Sequence, residues 1–172
     1  MAVLLTNPDG TYATECSLCK RLLTEPIFAT THFIVDPTDR LFEYSDSGMH
    51  WDCYAMWKYQ RRFASQYFDA VRQWKPNNPY WAIVAETDLF LISANPDLPE
   101  PAADIDIRAI GPGFRVPIRA WTDWINGGWD ASCVHDLARR AMMEIEVSVR
   151  KVVPDSETML RQARQMLDAG HN

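Results

Sequence analysis

The sequence predicts an α+β protein in two parts, and three observations carry that reading. Near the N-terminus, four residues of metal-ligating type fall into two pairs held apart by a long spacer. Between positions 80 and 120, apolar residues alternate with polar ones at the two-residue period of strands. Beyond 130, two stretches repeat at the 3.6-residue period of helices. The expected architecture is a module built on the two pairs over 1–75, then a small antiparallel sheet with two C-terminal helices over 76–172, the halves able to share one core.

The pairs are Cys16-Ser17-Leu18-Cys19 and His50-Trp51-Asp52-Cys53, which read C-x2-C, a spacer of 30 residues, then H-x2-C. Each puts two ligands within one turn, and a Cys3His set is usual for structural zinc. Zinc takes thiolate sulfur and imidazole nitrogen tetrahedrally, and four protein ligands leave no position for water. Cys16, Cys19, His50 and Cys53 are therefore expected to hold a structural Zn²⁺. Three thiolates and a neutral imidazole leave one negative charge, and Lys20, Arg21, Arg61 and Arg62 are near enough in sequence to soften it. Two other readings stand beside this one. Cys16 and Cys19 as a thioredoxin-type redox pair would call for a βαβ context that the sequence lacks. Coincidence is the other, since free cysteine is often just a small buried residue.

A chain of 172 residues fits one domain, or a small module fused to a larger partner. Its net charge of −6 repels phosphate backbones and acidic membranes, so nucleic acid is disfavoured as a partner and no membrane is expected. The charge is uneven: residues 16–75 hold eight Lys/Arg against seven Asp/Glu, and the remainder holds nine against sixteen. Thiols reserved for a metal point to a reducing compartment. The first ten residues lack the basic region of a signal peptide, and no stretch reaches the length of a membrane span. The expected location is cytoplasmic.

In chain order, 27–35 reads as a strand, Asp36-Pro37-Thr38-Asp39 as a type I turn and 40–45 as a returning strand, making the spacer a β-hairpin. His32 in the first strand is left out of the ligand set. Ser45-Asp46-Ser47-Gly48 opens one helix over 49–74, with Cys53, Trp57, Ala64, Tyr67, Phe68, Val71 and Trp74 on its apolar period. The Pro/Asn cluster at 75–79 stops it. Cysteine turn, hairpin, then a helix whose first turn supplies the last two ligands: this order resembles the treble-clef class of zinc fingers. Ligand order and spacer are also similar to those of the DNA-break-sensing finger of poly(ADP-ribose) polymerases. The resemblance spans about a third of the chain and implies the four ligands only. Such fingers bear a basic surface, which residues 16–75 do not, so the DNA contacts are not carried over.

In the second half, strands at 80–86 and 89–93 flank Thr87-Asp88. After a Pro-rich loop at 95–103, Ile105, Ile107 and Ala109 alternate with Asp104, Asp106 and Arg108, giving a strand with one wet face. Gly111-Pro112-Gly113 turns the chain into a strand of Phe114, Val116, Ile118 and Ala120, with Arg119 expected opposite Asp104 or Asp106. Pro117 marks that strand as an edge. Trp121, Trp124 and Trp129 surround Gly127-Gly128, either packing the strand–helix junction or forming an aromatic patch for a protein partner. Asp130 or Ser132 is expected to cap a helix to 151 carrying Val134, Leu137, Ala138, Ala141, Met142, Ile145 and Val149 inward, with Cys133 a small core residue. A last helix, with Met159, Leu160, Ala163, Met166 and Leu167 on its stripe, closes at Gly170.

No Gly-rich phosphate loop or nucleophile elbow is present, so no catalytic residue is assigned and the chain is expected not to be an enzyme. The expected function is a zinc-stabilised protein acting through protein contacts, an adaptor or an inhibitor, including the immunity or antitoxin type that blocks a basic enzyme. The alternative is a nucleic-acid-binding finger using Lys58, Arg61 and Arg62, where basic and aromatic residues interleave in Lys58-Tyr59-Gln60-Arg61-Arg62-Phe63.

Overall fold

The computed structural model describes residues 3–129 and 134–170, and the chain divides into two compact units, Met1–Tyr67 and Phe68–Asn172. The division falls inside a helix, upstream of the Pro/Asn cluster at 75–79. Among the described residues the fold is mixed α/β, with two antiparallel sheets and five helices.

The first unit has little regular structure. Strand β1 (Ile27–Ala29) pairs antiparallel with β2 (Gly48–His50), in register Ile27 to His50 and Ala29 to Gly48. The hairpin expected from 27–35 and 40–45 does not form. The turn is present, with Asp36 Oδ1 accepting from the Thr38 amide at 2.8 Å, but Phe42–Tyr44 is a 3-10 turn instead of a strand. The cause is local: Ser45 Oγ accepts from the amides of Phe33 and Ile34 at 2.8 and 3.1 Å, replacing the ladder partners a strand there would need.

The single helix expected over 49–74 is two. Helix α1 (Trp51–Met56) ends where Trp57 turns extended, at φ −71 and ψ 126, and α2 (Gln60–Trp74) begins after it. Trp57 leaves the helical path and packs on Tyr44 and Phe63, with ring centroids 4.7 and 5.3 Å away. The unit's core is aromatic: Phe28 stacks on Tyr54 at 3.7 Å, with Leu23, Leu41, Met49 and Phe63 buried beside them.

The second unit holds the expected small antiparallel sheet, although Gly111-Pro112-Gly113 opens a strand instead of turning the chain and Ile118–Ala120 is a 3-10 turn instead of strand. Strands β3 (Ala82–Glu86), β4 (Phe90–Asn95), β5 (Ala102–Ile107) and β6 (Gly111–Pro117) pair in that order, all antiparallel, with β6 an edge as Pro117 requires. β4 is buried throughout. Two expectations fail on β5. Its Asp face is not wet: Asp106 is only 5% exposed and Lys75 4%, and Lys75 Nζ lies 2.8 Å from Asp106 Oδ2 and 3.5 Å from Asp104 Oδ2. Burial pushes the Asp106 carboxyl above its ordinary range, opposed by the Lys75 charge. Second, the residue opposite Asp104 is Arg115, whose Nε donates at 2.8 Å, whereas Arg119 lies past the strand and pairs with Glu100. The turn falls at 108–110 and a bulge between Ile105 and Ile107 shifts the register. Gly113 faces Ile105 so closely that a Cβ would lie 1.9 Å from its carbonyl oxygen, so only glycine fits.

Helix α3 (Trp121–Asp123) leads through a wide turn over Trp124–Gly128, where Gly127 takes φ +98. Asp130, Ser132 and Cys133 lie outside the described residues. Helix α4 (Asp136–Val152) starts later than expected, capped by His135, whose Nδ1 accepts from the Leu137 amide at 3.1 Å. Ala138, Ala141, Met142, Ile145 and Val149 face inward. Helix α5 (Ser156–Gly170) buries Met159 and Ala163, while Met166 is 53% exposed beside a groove of about 420 Å³ that Pro76 and Trp81 also line. No helix among the described residues is long and apolar enough to cross a membrane.

Candidate metal centre

Cys16 and Cys19 sit on a tight knuckle. The Cys16 amide donates to the Arg21 carbonyl at 2.8 Å, and the Lys20 amide donates back to the Cys16 carbonyl at 2.9 Å. Closing so short a loop puts Lys20 in the left-handed region, φ 60, which costs a non-glycine residue roughly 1 kcal/mol. The knuckle is seated on β2: the Ser17 amide donates to the Gly48 carbonyl at 3.0 Å, and a Cβ on Gly48 would lie 2.7 Å from Leu23 Cδ1.

The other pair comes from the end of that strand. His50 closes β2 and is the N-cap residue of α1, whose first turn carries Cys53. The four ligand atoms lie within 4.8 Å of one another, and the group can hold a metal ion. His50 Nδ1 is 3.5 Å from Cys19 Sγ and 3.8 Å from Cys53 Sγ. A tetrahedral zinc with Zn–S of about 2.3 Å and Zn–N of about 2.0 Å has S···N edges of about 3.5 Å, so the spacing fits the group. The imidazole is also oriented for the task. Its Nε2 lies 3.1 Å from the Leu22 carbonyl, which can only accept, so Nε2 carries the proton and the Nδ1 lone pair faces the sulfurs.

Cys16 is buried and the other three ligands are half-buried. The Arg21 backbone N–H, then its guanidinium, pulls the Cys19 thiol down to about 6. Burial, with the neighbouring sulfurs, pushes the Cys53 thiol up to about 11. The cluster thus begins with one ready thiolate, and a dipositive ion would favour ionising the rest. Of the four cations expected to soften the charge, Arg21 touches Cys19, while Arg62 is turned to Asp39 at 3.0 Å.

Comparison with protein-family models, with curated proteins and with solved structures gives no match to this chain. The site is therefore read from its own atoms.

The three tryptophan candidates stand together, with ring centroids 5.8 Å apart for Trp121 and Trp124 and 6.4 Å for Trp124 and Trp129. Trp121 is fully buried, its Nε1 donating to the Val153 carbonyl at 2.9 Å, and has no surface to offer a partner. Trp124 and Trp129 are half-buried and cluster with Phe114, at 5.6 and 6.2 Å between ring centroids. Lys58 lies over the Tyr59 ring, and Arg61 and Arg62 are exposed. The Leu22 carbonyl and the Gly48 contact were not foreseen. The carbonyl has no side-chain signature, and Gly48 reads in sequence only as part of a polar helix start.

Proposed function

We propose that residues 16–53 form a treble-clef-like finger around one structural Zn²⁺, and that the protein is a non-catalytic one working through contacts with other proteins. The observation that carries the metal half is the Cys3His group within 4.8 Å, with the His50 Nδ1 lone pair aimed at two sulfurs. Knuckle, paired strands and ligand-bearing helix also follow in the order expected of that class. Four protein ligands fill a tetrahedron, so zinc bound here would supply folding energy and no open position for substrate. The protein-contact half is supported by this closed set and by the net charge of −6, which disfavours nucleic acid. The free thiols of Cys16, Cys19 and Cys53 among the described residues fit a reducing, cytoplasmic setting.

Elemental analysis of protein purified without added metal is expected to give one zinc per chain, lost in Cys16→Ser and His50→Ala variants. A metal-free preparation that keeps full secondary structure would overturn the metal reading. For the second half, crosslinking in native cells should recover defined protein partners, and nuclease treatment should leave them attached. Loss of every crosslink on nuclease treatment would reverse it.

A further inference from the structure

Most arginines whose surroundings are described find a carboxylate. Arg72, Arg108, Arg115, Arg119, Arg139 and Arg150 pair with Glu86, Asp69, Asp104, Glu100, Asp136 and Glu146. Among the described residues Arg140, Arg161 and Arg164 of the second unit form no ion pair, nor do two arginines of the first unit, which there stand beside a lysine and a tyrosine. Tyr59, in the turn between α1 and α2, has two cations over its ring, Arg40 Cζ at 4.9 Å and Lys58 Nζ at 4.8 Å from the centroid. Arg40 Nη1 also donates to Tyr59 Oη at 3.1 Å. Just beyond, α2 opens with Gln60-Arg61-Arg62 and has no acidic residue in its first turn. Helix amides there point positive charge outward and favour carboxylates over cations, so the arginines sit against the field.

Asp39 answers Arg62 at 3.0 Å. Arg40, Lys58 and Arg61 are exposed, and among the described residues none of them forms an ion pair. The same contacts, Lys58 first and then Arg40, hold the Tyr59 phenol below its ordinary value. Exposed cations without ion-pair partners, two of them gathered on one tyrosine ring, are a local feature at odds with a chain of net charge −6.

We propose that Arg40, Lys58 and Arg61 form a docking surface for an Asp/Glu-rich segment of a partner protein. This rests on the protein-contact reading above and names the chemistry of the partner. Guanidinium forks take carboxylates bidentately, and the Tyr59 ring and hydroxyl hold Arg40 in place for that geometry. A short acidic segment meets the patch locally, whereas a long polyphosphate also meets the repulsion of the whole acidic chain. The Tyr59 ring is already engaged by two cations, which removes the stacking platform that single-stranded nucleic acid would use.

The test uses the full chain and a short fluorescent peptide of alternating Glu and Ser, read by anisotropy. Binding is expected at low salt, weakening as salt is added and absent for the same peptide with Gln in place of Glu. The combined Arg40→Ala, Lys58→Ala and Arg61→Ala variant should bind at least about tenfold more weakly, and Arg139→Ala should bind as the parent does. No peptide binding at low salt would overturn the proposal, as would unchanged binding by the triple variant. So would a single-stranded oligonucleotide of equal charge binding more tightly than the peptide. Zinc content and tryptophan emission of each variant separate this outcome from failure of the metal site: docking lost with both intact concerns the patch alone.

Discussion

The two units reach stability by different routes. The second joins four antiparallel strands in sequence order, buries one of them completely and packs regular helices alongside. The first has two three-residue strands, a six-residue helix and the opening turns of α2, and gathers its long irregular segments at a knuckle and a cluster of sulfur and nitrogen atoms. Where regular elements supply the core, alternation of apolar residues specifies the fold. Where they do not, the proposed metal would take over, as small domains with little apolar core generally require.

The largest expected break in this contrast is chelation. Stripping the metal should remove about 10 kcal/mol or more from the first unit. Hydrogen exchange should then show protection lost at Phe28, Met49 and Tyr54 but kept along β4. Next is Lys75→Met, which leaves Asp106 buried without its cation and is expected to cost about 3–5 kcal/mol in denaturant unfolding. Adding Asp106→Leu should recover much of that loss. The pH sign follows from the raised Asp106 pKa. A neutral carboxyl suits the buried site, so the single variant should regain stability as pH falls and lose most as pH rises through the folded value.

A smaller effect is expected for Gly48→Ala. The new methyl meets Leu23 Cδ1 at 2.7 Å and Leu4 Cδ2 at 2.8 Å, both ends of flexible side chains, for a loss of about 1–3 kcal/mol by thermal melting. The finest test is the order of alkylation in metal-free protein at neutral pH. Cys19, at about 6, should react first and Cys53, at about 11, much later, as read by peptide mass mapping. Equal rates would mean that the knuckle does not activate Cys19.

The four ligands were legible because metal chemistry restricts residue types, and C-x2-C and H-x2-C leave few other uses for them. The antiparallel sheet was legible because Ile105, Ile107, Phe114 and Val116 keep a two-residue alternation, though its strand order was not. What sequence pattern missed was set by direction, not by type. Trp57 fits an apolar stripe over 49–74, yet its backbone is extended and the stripe belongs to two helices. Ser45 reads as the end of a strand and the start of a helix signal, but its hydroxyl captures two amides in place of ladder bonds. Asp106 reads as a wet-face charge and Lys75 as part of a helix stop, because a pattern cannot show two charges reaching each other inside a core. Arg115 took the place expected of Arg119 because a bulge leaves no mark in hydropathy.

The break at Trp57 has one further consequence. It leaves α1 only six residues long, well below the length at which an isolated helix holds together in water. On the proposed metal reading, that segment should coil only once Cys53 is held in the site. Trp51 opens it and Trp57 ends it, so a change of tryptophan emission on adding zinc to metal-free protein is the expected optical sign of binding.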